Sequence, residues 1–81
     1  MQIACYIIKC VDNTFYTGIT KDLQKRFEQH KTGRCRYTRQ HVAKEIVYTT
    51  YATSYSEARI IEKFIKKMGA KKYLYSQGVF L

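Results

Sequence analysis

Residues 3–11, Ile-Ala-Cys-Tyr-Ile-Ile-Lys-Cys-Val, are dense in β-branched and aromatic side chains and read as a β-strand. Asp12-Asn13-Thr14 follows with turn chemistry, and residues 15–19, Phe-Tyr-Thr-Gly-Ile, resume the strand pattern, so the chain opens on a β-hairpin. The turn length decides what that hairpin presents. With a two-residue turn at Asp12-Asn13, Tyr6 and Tyr16 face opposite sides of the sheet. With a three-residue turn at Asp12-Asn13-Thr14 they share a face, and Asn13 suits the left-handed position such a turn needs. Gly18 inside the second strand marks a close backbone approach.

The other elements follow from capping and periodicity. Thr20 can cap a helix over residues 21–31, and Gly33 suits its C-terminal stop. Residues 34–41, Arg-Cys-Arg-Tyr-Thr-Arg-Gln-His, read as a basic loop. Residues 45–52 give a third strand. Ser54-x-x-Glu57 is a capping box that opens a helix running to Met68, where Gly69 stops it. A short helix over 70–76 and an apolar tail, Val79-Phe80-Leu81, complete the chain, with the tail expected to dock on the core. The expected fold class is α+β: a small mixed or antiparallel three-stranded sheet flanked by helices, in the order ββαβαα. With 81 residues, the expectation is one domain spanning 1–81 with one modest core.

Charge narrows the partners. Fifteen Lys and Arg against six Asp and Glu give a net charge of +9, which suits a polyanion whose counterions are released on binding. No run approaches the roughly 20 apolar residues of a spanning helix, so no membrane is implicated. The three cysteines, Cys5, Cys10 and Cys35, are odd in number and contain no C-x-x-C pair. That disfavours a disulfide framework or a zinc ribbon and suits reduced thiols in a cytoplasmic or nuclear protein. The N-terminus lacks a charged n-region and a cleavage site, so secretion is not expected.

Two helices carry polar residues at odd places. On the first, Leu23 and Phe27 define the buried stripe, and Arg26 and His30 fall within roughly 60° of Leu23 on a helical wheel, leaning toward the sheet. Either they have a partner and a task, or Arg26 snorkels and His30 is a satisfied residue at the stripe edge. On the second, Ala58, Ile61, Phe64, Ile65 and Met68 form the apolar arc, with Glu62 at its border. Alone, Glu62 reads as an ordinary i,i+4 partner of Lys66. In the basic loop, Arg34, Arg36, Tyr37 and Arg39 interleave cations with an aromatic, which suits phosphate contacts and base stacking or a plain solvated surface.

Taken in order, Cys5-Tyr6-Ile7, then Tyr16-Thr17-Gly18 ten residues on, then Arg26 and His30 on a helix, resemble the signatures of the GIY-YIG nuclease family in its compact standalone branch. Gly33, Tyr37-Thr38-Arg39, Ser56-Glu57-Ala58 and Glu62 extend the resemblance, which spans residues 3–68. It departs at Cys5, where many members carry Gly or an aliphatic residue, at Thr17 in place of Ile, and at Leu74, where larger members carry Asn.

The resemblance implies a divalent-metal endonuclease acting on DNA, with branched, flapped or nicked forms as candidate substrates and RNA as the alternative polymer. It implies Tyr6, Tyr16, Arg26, His30 and Glu62 as the catalytic set. Glu62 would hold one Mg²⁺ or Mn²⁺, and Arg26 would stabilise charge on the phosphorane. Tyr6 would act as base with Tyr16 orienting water, or the reverse. His30 would bind phosphate or shuttle a proton. Arg34, Arg36, Tyr37 and Arg39 would grip substrate, and a bare catalytic domain implies a targeting protein partner. The rival readings are a nucleic-acid-binding module of the same fold that does not cut, and an interaction protein using the Tyr-rich surface and the apolar tail.

Overall fold

The computed structural model describes residues 2–80. Its elements are β1 (Ile3–Cys10), β2 (Phe15–Thr20), α1 (Leu23–Lys31), α2 (Arg36–Gln40), β3 (Ala43–Ala52), α3 (Tyr55–Met68) and α4 (Ala70–Ser76). The sheet is antiparallel throughout, in the order β2-β1-β3. The expected ββαβαα order therefore holds, with one addition: the residues read as a basic loop contain the five-residue helix α2.

Strand β1 is central because both of its faces are apolar, and all but one of its residues are buried. Cys5 and Ile7 point to one face and pack with Ile65 of α3 and Tyr73 and Leu74 of α4. Tyr6, Ile8 and Cys10 point to the other, against Leu23 and Phe27 of α1 and Tyr37 of α2. Strand alternation thus divides the helices into two layers with the sheet between them. Cys5 and Cys10 fall on opposite faces, and all three cysteines are free and buried.

The hairpin takes the odd-length turn, one residue earlier than expected. Cys10 N–H donates to the Thr14 carbonyl, so Val11-Asp12-Asn13 forms the loop, and Asn13 takes the left-handed position at φ 66°. The register pairs Tyr6 with Gly18 and Ile8 with Tyr16, which puts both tyrosines on the α1 face. Asp12 binds the turn from its side chain, its Oδ1 accepting from Thr14 Oγ1 at 2.6 Å.

Four local expectations are corrected. Asp22, not Thr20, caps α1: its Oδ1 accepts from Lys25 N–H at 3.1 Å, while Thr20 Oγ1 accepts the Asp22 N–H. A carboxylate is the better acceptor there and complements the positive end of the helix. Phe64 is 54% exposed, because α3 is pinned to the sheet through Ala58, Ile61 and Ile65, and this turns Phe64 outward, its ring perpendicular to that of Tyr73. Ser54 Oγ caps Glu57 N–H as the capping box requires, but the Glu57 carboxylate bonds Thr53 Oγ1. In the tail, Val79 packs on the core and Phe80 is 76% exposed, while Leu81 lies outside the described residues. Gly33 ends α1 as expected, at φ 76°, with Arg34 N–H closing back on the Gln29 carbonyl.

Gly18 is fixed by space. A Cβ there would lie 2.6 Å from Tyr6 Oη, 2.8 Å from Tyr6 Cζ and 2.9 Å from Tyr16 Cε2. Tyr6 is 1% exposed and cannot swing aside. Gly18→Ala is therefore expected to cost about 1–3 kcal/mol by overpacking. Urea denaturation measures this, and a cost near zero would mean that the Tyr6 ring does not lie across Gly18.

Candidate active site

On the α1 face of the hairpin, the tyrosine pair meets a histidine and an arginine. Helix α1 rises over the sheet from its Asp22 cap, and positions 26 and 30 lie one turn apart on its inner side. His30, the only buried residue of α1, reaches the sheet, and its Nε2 lies 2.8 Å from Tyr6 Oη. The ring of Tyr16 stands 4.8 Å from that of His30 and 6.2 Å from that of Tyr6, centroid to centroid. Arg26 is half-buried, bonds Gln29 Oε1 at 3.0 Å, and lies beside the Tyr6 and Tyr16 hydroxyls.

Helix α2 closes this side. Thr38 Oγ1 is 3.0 Å from His30 Nδ1, and Cys35 Sγ is 3.9 Å from His30 Nε2. Tyr37 packs on Tyr16 at 5.4 Å and stacks on His41 at 4.5 Å. His41 Nδ1–H donates to Asp12 Oδ2 at 2.6 Å, which ties the end of α2 to the hairpin turn. Thr14 first and His41 second hold the Asp12 carboxyl down at about 2.

Burial sets the charge states. It pushes the Tyr6 phenol well above its ordinary value, against the opposing pull of the adjacent Arg26. Burial, then the Arg26 charge, pulls His30 down to about 4. For Arg26 itself, burial disfavours the cation, but Tyr6, Cys35 and Tyr16 together outweigh this, so its pKa is raised. At neutral pH the cluster thus contains a neutral phenol hydrogen-bonded to a neutral imidazole, beside a fixed cation.

Four of the five expected catalytic residues converge here, and Glu62 does not. It projects from α3, on the other face of the sheet, with its side chain 21% exposed and paired to Lys66 at 3.4 Å. What lies between is the edge of β2. A cleft of about 320 Å³ wraps this edge, lined by Tyr16 and Tyr37 on one side and by Phe15, Thr17, Lys66 and Ala70 on the other. A ligand in it would meet Tyr16 and Tyr37 at one end and Lys66, the ion-pair partner of Glu62, at the other.

Of the expected substrate contacts, Tyr37 is in the cluster, Arg34 and Arg36 are exposed, and Arg39 donates from Nε to the Gly33 carbonyl, bracing the α1–α2 corner. The sequence reading gave no role to Thr38, Cys35 or His41. All three lie in the segment expected as a basic loop, and only its folding into α2 turns Thr38 and Cys35 inward.

Comparison with known proteins identifies the family. A family model for the GIY-YIG catalytic domain matches residues 2–74. The chain therefore belongs to the GIY-YIG family, a family of nucleases. It is 35% identical over 68 residues to the UPF0213 protein YazA of Bacillus subtilis, covering 83% of this chain and 69% of that one. It is 39% identical over 64 residues to the UPF0213 protein CPE1444 of Clostridium perfringens, covering 78% and 69%. The solution NMR structure of the UPF0213 protein BH0048 from Bacillus halodurans superposes with a TM-score of 0.59 at 32% identity, over 95% of this chain and 85% of that one.

His30 makes stability depend on pH. Its folded pKa of about 4 lies below the ordinary 6.5, so the unfolded chain takes up a proton that the folded chain refuses. The His30 contribution is therefore complete above pH 6.5 and is lost as pH falls from 6.5 through 4. The Asp12 contribution is lost lower, between 3.8 and about 2. Urea denaturation at stepped pH is expected to show the first decline in the wild type and not in His30→Gln. An equal decline in both would place the titrating group elsewhere.

Proposed function

We propose that this chain is a divalent-metal-dependent endonuclease that hydrolyses DNA phosphodiester bonds, with the scissile phosphate seated at the β2 edge. The observation that carries this reading is the convergence of Tyr6, Tyr16, Arg26 and His30 on one cluster beside a cleft lined by Lys66, the salt-bridge partner of Glu62. The net charge of +9 and the exposed Arg34 and Arg36 suit a polyanionic substrate, and Tyr37 offers a stacking face.

Among the described residues no group of three or more His, Cys, Asp or Glu could cage a metal. A single carboxylate, partly open to solvent, fits instead a largely hydrated hard cation shared with substrate phosphate, which suits Mg²⁺ or Mn²⁺. Glu62 would hold it after giving up Lys66. When bound, such an ion supplies Lewis acidity that neutralises charge on the leaving 3′ oxygen.

The chain's own residues account for the other steps. Tyr6 Oη is buried in the free protein, so bound substrate must first admit the attacking water to it; Oη then takes a proton from that water as its own phenol proton passes to His30 Nε2. In the free protein this transfer is unfavourable, since burial opposes both phenolate and imidazolium. The negative charge of a bound phosphate stabilises the imidazolium and so favours the transfer. Tyr16, beside both rings, orients the water. Arg26 places a fixed cation and planar donors against the charge that builds on the phosphorane.

The test is cleavage of labelled branched, flapped, single-stranded and duplex DNA, and of RNA, with Mg²⁺, Mn²⁺ or chelator. Cutting is expected only with metal, lost in Glu62→Gln, and reduced about 10²- to 10⁴-fold in Tyr6→Phe. Unchanged cutting by Glu62→Gln contradicts the proposal. Binding without cutting in every metal would favour the second reading, a binding module in which Lys66 permanently occupies Glu62. Loss of Arg34 or Arg36 would then weaken binding equally across sequences and flatten its salt dependence.

A further inference from the structure

Thr38 has no part in the chemistry just described, yet it is 2% exposed and its hydroxyl lies 3.0 Å from His30 Nδ1. A neutral imidazole has one N–H and one lone pair, so a hydrogen bond at one nitrogen decides the state of the other. The Thr38 hydroxyl has a single proton. Two acceptors lie within its reach: the Cys35 carbonyl at 3.4 Å, three residues back across the start of α2, and His30 Nδ1 at 3.0 Å when that nitrogen is bare. When the proton goes to the Cys35 carbonyl, the hydroxyl oxygen faces Nδ1 as an acceptor and the imidazole hydrogen sits on Nδ1.

The far side of the ring decides between them. Tyr6 Oη is 2.8 Å from Nε2, its one hydrogen-bond partner among the described residues, and Tyr6 is 1% exposed, so the phenol proton has no other acceptor. Arg26 beside it can only donate. The phenol proton is left pointing at Nε2, which must be the bare nitrogen. We infer that Thr38 is a positioning residue that fixes His30 as the Nδ1–H tautomer and so keeps Nε2 open as the acceptor for the Tyr6 proton. The catalytic side of this inference rests on Tyr6 being the base in the reaction proposed above.

The proton account closes without any bond to Thr38 forming or breaking. Water gives a proton to Tyr6 Oη, Tyr6 gives its own to Nε2, and the imidazolium keeps its Nδ1–H on Thr38 Oγ1. With the opposite tautomer Nε2 already carries hydrogen, and the Tyr6 proton has no acceptor on that ring.

The tautomer can be read in the protein alone, from long-range proton–nitrogen spectra of ¹⁵N-histidine-labelled chain at neutral pH, with His41 signals identified through His41→Asn. The expected wild-type pattern is a protonated Nδ1 and a bare Nε2 for His30, retained in Thr38→Ser and shifted toward Nε2–H in Thr38→Val. In the cleavage assay, Thr38→Val is expected to lower kcat about 10- to 100-fold with KM unchanged, and Thr38→Ser to restore it. A wild-type His30 in the Nε2–H form, or a Thr38→Val chain that keeps Nδ1–H, overturns the inference. If Thr38→Val does not fold, the wild-type and Thr38→Ser spectra decide alone. A chain that shows the expected tautomers but cuts no nucleic acid keeps the assignment of Thr38 and removes the nuclease reading instead.

Discussion

The hydrogen bond between Tyr6 Oη and His30 Nε2, sealed from solvent, is the interaction on which the rest of the site depends. It ties the central strand to α1 at the one point where a polar side chain of each is buried. Forming it requires the Tyr6 ring to lie flat across the neighbouring strand, and that requires a residue without a side chain at Gly18. Gly18 is opposite Tyr6 only because the hairpin closes through a three-residue loop with Asn13 left-handed. A turn residue, an empty Cβ position and a catalytic candidate are thus links of one chain of constraint.

A buried polar contact of this kind is worth little net energy when made and is costly when half-made. Its value here is geometric and electrostatic. Burial keeps both partners neutral, with Arg26 held beside them as a fixed charge. Such an arrangement is quiet without a ligand and responds to an added negative charge. The second layer of support comes from α2, which sets Thr38 against His30 and Tyr37 against Tyr16, and is itself held to the hairpin turn by the Asp12–His41 bridge.

Much of this was legible in the sequence. The periodicity of the first helix turns Arg26 and His30 toward the sheet. The hairpin argument showed that shared chemistry for Tyr6 and Tyr16 needs an odd-length turn. What was illegible depended on tertiary contact. Residues 34–41 read as a basic loop because five charged or polar side chains mask two inward positions, Cys35 and Thr38. Phe64 belongs to the apolar arc by periodicity, but the rotation of α3 is set by which of its residues meet β1 and β2, and this leaves Phe64 outside. The separation of Glu62 from the tyrosines is also a matter of layers: residues from opposite faces of a sheet can act together only around an edge, and β2 is an edge.

That joint action is the central claim, and a crystal structure with Mn²⁺ and a cleavage-resistant phosphorothioate DNA tests it directly. The account predicts one anomalous manganese peak beside the Glu62 carboxylate, with a DNA phosphate lying at the β2 edge between that ion and the side chains of Arg26 and Tyr16. A phosphate held by Arg26 with Glu62 still paired to Lys66 and no ion between them, or manganese bound away from α3, would contradict it.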